Sequence, residues 1–319
     1  MVDINKIIES LDWSKEPKGL YEPIGYALSA GGKRLRPKLC LLGAQIITDR
    51  PAGCKTANAV RDVLPAALAL EVFHNFTQLH DDVMDKAQMR RGRPCVHIRW
   101  NENTAILSGD QMLIEAYKLL SGVPADKLSE CLRLFNEMAT GICEGQQLDV
   151  EFEEREDVTI ADYMEMIRLK TAVLLATALR MGGYIAGASE LQQQALYDAG
   201  IHLGLAFQIE DDLLDCYGDE KTFGKAIGGD IREGKKTFMY LTALQLDRCG
   251  APVGPLRCKT GYGLEDVLAE YDRLGVKQKA IEAIEVETNK ALEAIRQLPD
   301  NDARAELEAL AHKLMNRNI

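Results

Sequence analysis

The chain has 319 residues, of which 46% are hydrophobic and 27% charged. This is ordinary globular composition and excludes disordered, collagen-like and purely coiled-coil chains. The formal net charge is −11 with no block of basic residues, which argues against generic attraction to nucleic acid or to an anionic membrane surface. The eight cysteines (Cys40, Cys54, Cys95, Cys131, Cys143, Cys216, Cys249, Cys258) are scattered without a CxxC pair and read as reduced thiols. The opening MVDINKIIES mixes acids and a lysine, and no run of 18 apolar residues occurs. A cytoplasmic protein without stable membrane insertion is the expectation.

Helical periodicity runs along the chain. Val63, Leu64, Ala67, Leu68, Leu70, Val72, Phe73, Phe76 and Leu79 recur at three and four residues, the spacing that keeps side chains on one helical face, and predict a long helix running into Asp85. The same spacing predicts helices over 132–150, 164–186, 195–217, 237–246 and 280–298. Stops are predicted at Gly122-Val123-Pro124, Gly182-Gly183, Gly218 and Leu298-Pro299. Alternating stretches of strand length are nearly absent, and no βαβ rhythm appears. Cys249 to Gly263 (CGAPVGPLRCKTGYG) is the best candidate boundary. It reads as a surface loop, because too little chain follows for a second large domain. The expectation is one all-α domain over 1–319.

One element occurs twice: Asp81-Asp82-Val83-Met84-Asp85 and Asp211-Asp212-Leu213-Leu214-Asp215, starting 130 residues apart. On a helix advancing about 100° per residue, the first and last aspartates of each motif fall about 40° and one turn apart, so both carboxylates face one way. Beside an apolar interior they repel each other unless a cation neutralises them. All-oxygen ligation suits Mg²⁺, which keeps several waters and takes one or two carboxylates plus substrate phosphates. The middle aspartates are placed to orient the others. Carboxylates at a helix C-terminus also oppose the helix dipole, a cost that points to use.

Positive charge is clustered where a phosphate would need it. Gly31-Gly32-Lys33-Arg34-Leu35-Arg36-Pro37 supplies three cations within four positions after two permissive glycines, and Arg90-Arg91 follows the first aspartate motif. Lys170-Thr171, Lys225 and Lys235-Lys236 come later, the last three in the glycine-rich FGKAIGGDIREGKK.

GGKRLRP, LHDDVMD with MRRGRP after it, EGQQLD, RLKTA, FQIEDDLLD, GKAIGGD and GKKT follow one another as they do in the trans-isoprenyl diphosphate synthases. Over residues 20 to 240 the chain resembles that family, the polyprenyl synthetases, of the short-chain type that makes geranylgeranyl or farnesyl diphosphate.

The resemblance implies the isoprenoid synthase fold, an all-α bundle of about ten or more helices around a central apolar cavity, together with a homodimer and head-to-tail trans condensation of isopentenyl diphosphate with dimethylallyl, geranyl or farnesyl diphosphate to a C15–C20 product. It implies that Asp81, Asp85 and Asp211 ligate Mg²⁺, three ions with substrate bound, while Asp82, Asp212 and Asp215 act through water or by orientation. Arg90, Lys170, Thr171, Gln208, Lys225 and Lys235 match positions that contact the allylic substrate. Lys33, Arg36, His74 and Arg91 match those that hold the diphosphate of isopentenyl diphosphate. Catalysis would fall to Asp81, Asp85 and Asp211 at the diphosphate, with Lys170 and Gln208 steadying the carbocation.

Phe76 stands five residues before Asp81, with Thr77 at four and Phe73 at eight. A single bulky plug at that position, without an insertion inside DDxxD, is similar to the pattern of geranylgeranyl diphosphate synthases; farnesyl synthases often add a second aromatic or an insertion. Two rivals remain at this point. A terpene cyclase also ionises a diphosphate at DDxxD, but has no need of GGKRLRP. A non-catalytic partner subunit would keep the fold, yet such subunits tend to lose an aspartate motif.

Overall fold

The computed structural model describes residues 3–48, 57–218, 227–247 and 263–315. They fold as two compact units: Met1–Phe135 with Ala178–Gln193, and Asn136–Thr177 with Gln194–Ile319. The architecture is all-α. Among the described residues, β structure is confined to one antiparallel pair of two-residue strands.

The first unit contains α1 (Ile4–Glu9), α2 (Lys18–Leu28), α3 (Leu35–Thr48), α4 (Ala57–Met84), β1 (Met89–Arg90), β2 (Arg93–Pro94), α5 (Val96–Arg99), α6 (Glu102–Leu120) and the start of α7 (Ala125–Glu154). Ile24, Leu39, Ile46, Val63, Leu70, Phe73, Met112, Leu120 and Phe135 are buried. Burial of such side chains is worth roughly 1.5–3 kcal/mol each and holds α4 among its neighbours. The Asn101 side chain starts α6 by accepting the Thr104 amide at 2.9 Å.

The hairpin was not foreseen from periodicity, because two residues per strand carry no alternation. Its turn, Arg91-Gly92, has φ of +51° and +72°, the sign pattern of a type I′ turn that twists with its strands. It is clamped to α2. Arg93 and Arg99 lie over the ring of Tyr26 at 4.0 and 4.3 Å, and the Tyr26 hydroxyl donates to the Pro94 carbonyl at 2.8 Å.

The second unit contains the rest of α7, then α8 (Ile160–Ile167), a π-helical turn (Arg168–Ala172), the start of α9 (Val173–Ile185), most of α10 (Glu190–Tyr217), α11 (Gly229–Glu233), α12 (Phe238–Leu246), α13 (Leu264–Leu274), α14 (Val276–Ile295) and α15 (Asp302–Met315). Its core includes Phe152, Tyr163, Ile167, Ala172, Ile209, Leu213, Phe238, Met239 and Tyr271. Thr159 opens α8 with a capping box, exchanging hydrogen bonds with Asp162.

Two expectations need correction. The stop at Gly182-Gly183 does not exist, since α9 runs through to Ile185. A Cβ on Gly182 would stand 2.8 Å from the Cys40 carbonyl carbon, so glycine here lets α3 pass close to α9. The helix expected over 164–186 is also not uniform, being interrupted by the π turn, a feature that periodicity cannot reveal. Cys249 to Gly263 lies outside the described residues except for Gly263, which precedes α13. Among the described residues no helix is long and apolar enough to cross a membrane.

Candidate active site

In the first unit the apolar run of α4 delivers Asp81 to its last turn and Asp85 to the position just past its end, where the Asp85 amide still donates to the Asp81 carbonyl at 2.9 Å. Asp81 is half-buried and Asp85 exposed. Asp82 points inward, with 8% of its side chain accessible, and takes Arg90 at 2.6 Å through both Nε and Nη2. Burial raises the Asp82 pKa and Arg90 partly opposes that. The same guanidinium lies 3.9 Å from Asp81, so the middle aspartate fixes a cation beside the first.

Seven residues before Asp81, His74 is buried amid positive charge. Its pKa is held well below the ordinary histidine value, first by burial and then by Arg36, Arg91, Arg90 and Arg34, so the ring is neutral at pH 7. Arg91 donates to the Gly31 carbonyl and, at 3.4 Å, to the Gln78 side chain. Gly32 has φ of +126°, a backbone conformation that L side chains rarely adopt, which explains the glycine; a Cβ there would also press on the movable end of Arg91, 2.7 Å from Nη1. Arg36, His74 and Arg91 are thus gathered in one place, with Lys33 exposed on the same turn.

One count from the sequence is corrected. Arg34 is not available to a ligand, because only 3% of its side chain is accessible and it is paired with Glu71 at 2.7 Å.

Below the aspartates, Phe73 and Phe76 meet edge to face at 5.4 Å, and Phe73 meets Phe135 at 5.1 Å. Phe73 is fully buried and Phe76 half-buried. The Thr77 hydroxyl turns back to the His74 carbonyl at 2.9 Å and adds no bulk.

In the second unit the π turn carries Lys170 and Thr171. An inserted π turn rotates side chains out of the helical register and is frequent at functional sites. Lys170 Nζ lies 2.6 Å from Asp149 of EGQQLD. The Thr171 hydroxyl donates to Gln208 Oε1 at 3.1 Å, and Gln208 Nε2 donates to Asp212 Oδ1 at 3.3 Å. Asp212 is buried and accepts from the Tyr163 hydroxyl at 2.5 Å and the Phe238 amide at 3.0 Å. Burial, with Asp230 nearby, pushes its pKa up to about 8. Asp211 is half-buried beside it. Asp215 accepts the Gly229 and Asp230 amides at 3.2 and 3.0 Å, and so holds the start of α11. Lys235 pairs with Glu233 at 3.0 Å, while Lys236 donates to the Phe152 and Glu153 carbonyls at the end of α7. Lys225 lies outside the described residues.

Sequence reasoning missed Glu71, Asp149 and Tyr163. Only Asp149 carried a signal, as the last residue of EGQQLD; Glu71 and Tyr163 stand inside ordinary helical periodicity.

The polyprenyl synthetase family model matches residues 17–250. Geranylgeranyl diphosphate synthase of Methanosarcina mazei is 38% identical over 304 residues, 93% of this chain and 90% of that protein. A crystal structure of a geranylgeranyl pyrophosphate synthase superposes with a TM-score of 0.87 at 42% identity, covering 99% of this chain and 96% of that one. The Corynebacterium glutamicum geranylgeranyl pyrophosphate synthase, complexed with isoprenyl diphosphate and magnesium, superposes with a TM-score of 0.82 at 29% identity, covering 93% and 90%. The chain belongs to the polyprenyl synthetase family. Within it, the activity is that of a trans-prenyltransferase and not of a terpene cyclase.

The donors fit a divalent cation that brings its own partners. Among the described residues no three His, Cys, Asp or Glu side chains form a cage by themselves. Asp81 and Asp85, a turn apart and both reachable from solvent, offer hard oxygens of the kind Mg²⁺ uses when phosphates and waters complete its shell.

Proposed function

We propose that the chain condenses isopentenyl diphosphate with an allylic diphosphate in the presence of Mg²⁺, and that its main product is C20. The observation that carries this reading lies within the first unit. A pocket of cations (Arg36, Arg91 and, on the same turn, Lys33) around neutral His74 stands near a separate carboxylate pair, Asp81 and Asp85. Metal held by the carboxylates, with Arg90 beside them, would serve the allylic diphosphate; a second diphosphate, that of isopentenyl diphosphate, accounts for the separate cations around His74.

Asp81, Asp85 and Asp211 would hold the metal, three ions when substrate is bound, with Asp82, Asp212 and Asp215 orienting their surroundings. Magnesium on the allylic diphosphate would supply the positive charge that the departing group requires. Arg90, Lys170, Lys225 and Lys235 are assigned to the same diphosphate. Asp82 holds Arg90 where leaving-group charge develops, so no reorganisation is needed at that moment. Thr171 and Gln208 are linked to each other, which presents the Gln208 amide as a fixed dipole toward a carbocation. Lys33, Arg36, His74 and Arg91 hold isopentenyl diphosphate while its double bond attacks that cation. The proton then lost goes to the released diphosphate.

For chain length, Phe76 is assigned as the plug, with Phe73 backing it and Thr77 leaving the neighbouring position open. The main experiment is incubation of the purified chain with dimethylallyl and isopentenyl diphosphates and Mg²⁺, followed by chromatography. Prenyl diphosphates of C20 support the reading. A main product of C15 would overturn the C20 assignment, and undiminished turnover with a chelator in place of Mg²⁺ would overturn the metal requirement.

A homodimer and a cytoplasmic setting are part of the proposal. Supporting the first, α6 exposes Ile106, Leu107, Ile114 and Tyr117 along one face, and contiguous exposed apolar side chains are a mark of interaction surfaces. Light scattering that returned a monomer would overturn it. Supporting the second, Cys40, Cys95, Cys131, Cys143 and Cys216 are free thiols.

A further inference from the structure

We propose that Arg34 and Glu71 form a buried strut that positions the cation cluster around His74, and that recognition of isopentenyl diphosphate depends on it. The inference rests on the assignment of Lys33, Arg36, His74 and Arg91 to that substrate. Neither member of the strut touches the substrate; both are positioning residues.

The turn that presents Lys33 and Arg36 has a backbone that is not self-supporting. Gly31 and Gly32 have φ of +74° and +126°, and Arg34, which is not a glycine, has φ of +48°. A side chain at positive φ is uncommon and persists where its surroundings over-determine it. Here they do. Arg34 uses all three of its nitrogens inside the protein: Nη1 to Glu71 Oε1 at 2.7 Å, Nη2 to the Leu28 carbonyl at 2.5 Å and Nε to Asn5 Oδ1 at 3.2 Å. Both charged side chains are 3% accessible. The planar fork of a guanidinium can serve these three directions together, which an ammonium cannot.

Glu71 is itself fixed. Asn75, one turn along α4, donates Nδ2 to Glu71 Oε1 at 3.2 Å and to the Glu71 carbonyl at 2.8 Å. Since Glu71 lies three residues before His74, the pair locks the turn to α4 at the level of that histidine. Lys33 and Arg36 flank Arg34 and inherit this register. The carboxylate has a second effect. Arg34, Arg36, Arg90 and Arg91 crowd one region and repel one another, and Glu71 neutralises one of them while also attracting Arg91.

The test measures initial rates of the full chain with Mg²⁺, varying each substrate at saturation of the other. Glu71→Gln and Arg34→Lys are expected to raise KM for isopentenyl diphosphate about tenfold or more, while KM for the allylic substrate and kcat stay within about threefold, because misplaced binding groups lose one substrate's ground-state affinity. Arg34→Met with Glu71→Leu replaces the pair by apolar volume, and serves if a single variant fails to fold. It is expected to regain thermal stability without regaining KM, whereas a merely structural role would return both together. KM for isopentenyl diphosphate within twofold of the parent in folded variants would overturn the proposal, as would equal rises for both substrates. Lys33→Ala and Arg36→Ala separate the two levels. If they raise this KM while the strut variants do not, the strut alone is wrong. If they leave it unchanged, the substrate assignment is wrong and the strut falls with it.

Discussion

A methyl group placed on Gly145 of α7 would stand 2.8 Å from the Cα of Lys170, so α7 and the π turn meet with only hydrogen between them. Two sequence motifs, EGQQLD and RLKTA, are therefore one structural feature: the first must be small where the second bulges. The obstructing atoms are the Lys170 backbone and Leu169 Cβ, which no side-chain rotation moves away. Gly145→Ala is expected to cost about 1–3 kcal/mol through overpacking and to lower kcat by displacing Lys170. Thermal unfolding and steady-state rates measured on the same preparation check both. Unaltered kcat with the full stability loss would separate the π turn from catalysis.

The aspartates of the first motif are expected to differ in kind. Asp81→Ala removes a proposed metal ligand and should lower turnover at least ~100-fold, the scale of preorganised charge stabilisation. Asp82→Asn should act through Arg90, which Asp82 grips at 2.6 Å, and so weaken the allylic substrate while leaving the Mg²⁺ dependence of the rate near that of the parent. Near-normal turnover of Asp81→Ala in Mg²⁺ would place the metal elsewhere.

Phe76→Ala is expected to lengthen the product. The ring it removes leans on Phe73, which in turn packs on Phe135, so a second barrier remains and extension should be limited. Chromatography of products reads the outcome, and an unchanged chain length would reject Phe76 as the plug. Removing Phe73 as well should extend the product further at a stability cost of about 3–5 kcal/mol for a buried phenylalanine.

His74 predicts a pH dependence. Burial and four guanidiniums keep its folded pKa well below 6.5, so below that pH the unfolded chain binds a proton that the folded protein refuses. The resulting stability is complete above about 6.5 and is lost as pH falls toward the folded value, at about 1.4 kcal/mol for each unit by which the two pKa values differ. Melting temperatures of the parent should therefore drop between pH 7 and 5 more steeply than those of His74→Gln. Parallel curves would assign the acid lability to other groups. Because Gln keeps a neutral donor, His74→Gln should also bind isopentenyl diphosphate better than His74→Ala.

Much of this protein was written in its periodicity and in its short motifs. The helical spacing before Asp81 and Asp211 is a local property, because side chains three and four residues apart share a face whatever surrounds them. The paired DDxxD motifs, GGKRLRP and RLKTA are contiguous as well, and together they marked the all-α class and the chemistry. Tertiary structure decided the facts that depend on a partner far along the chain. Gly182 lies inside a helix and does not end one, because α3 crosses there. Arg34 is withdrawn from the cation count by Glu71, 37 residues away, and Asp212 is oriented by Tyr163, 49 residues before it. Asp215 serves α11 through amides that only folding brings to it. A charge in a sequence is simply a charge; whether it is offered to a ligand or consumed by the fold depends on burial, and burial is set by which segments meet.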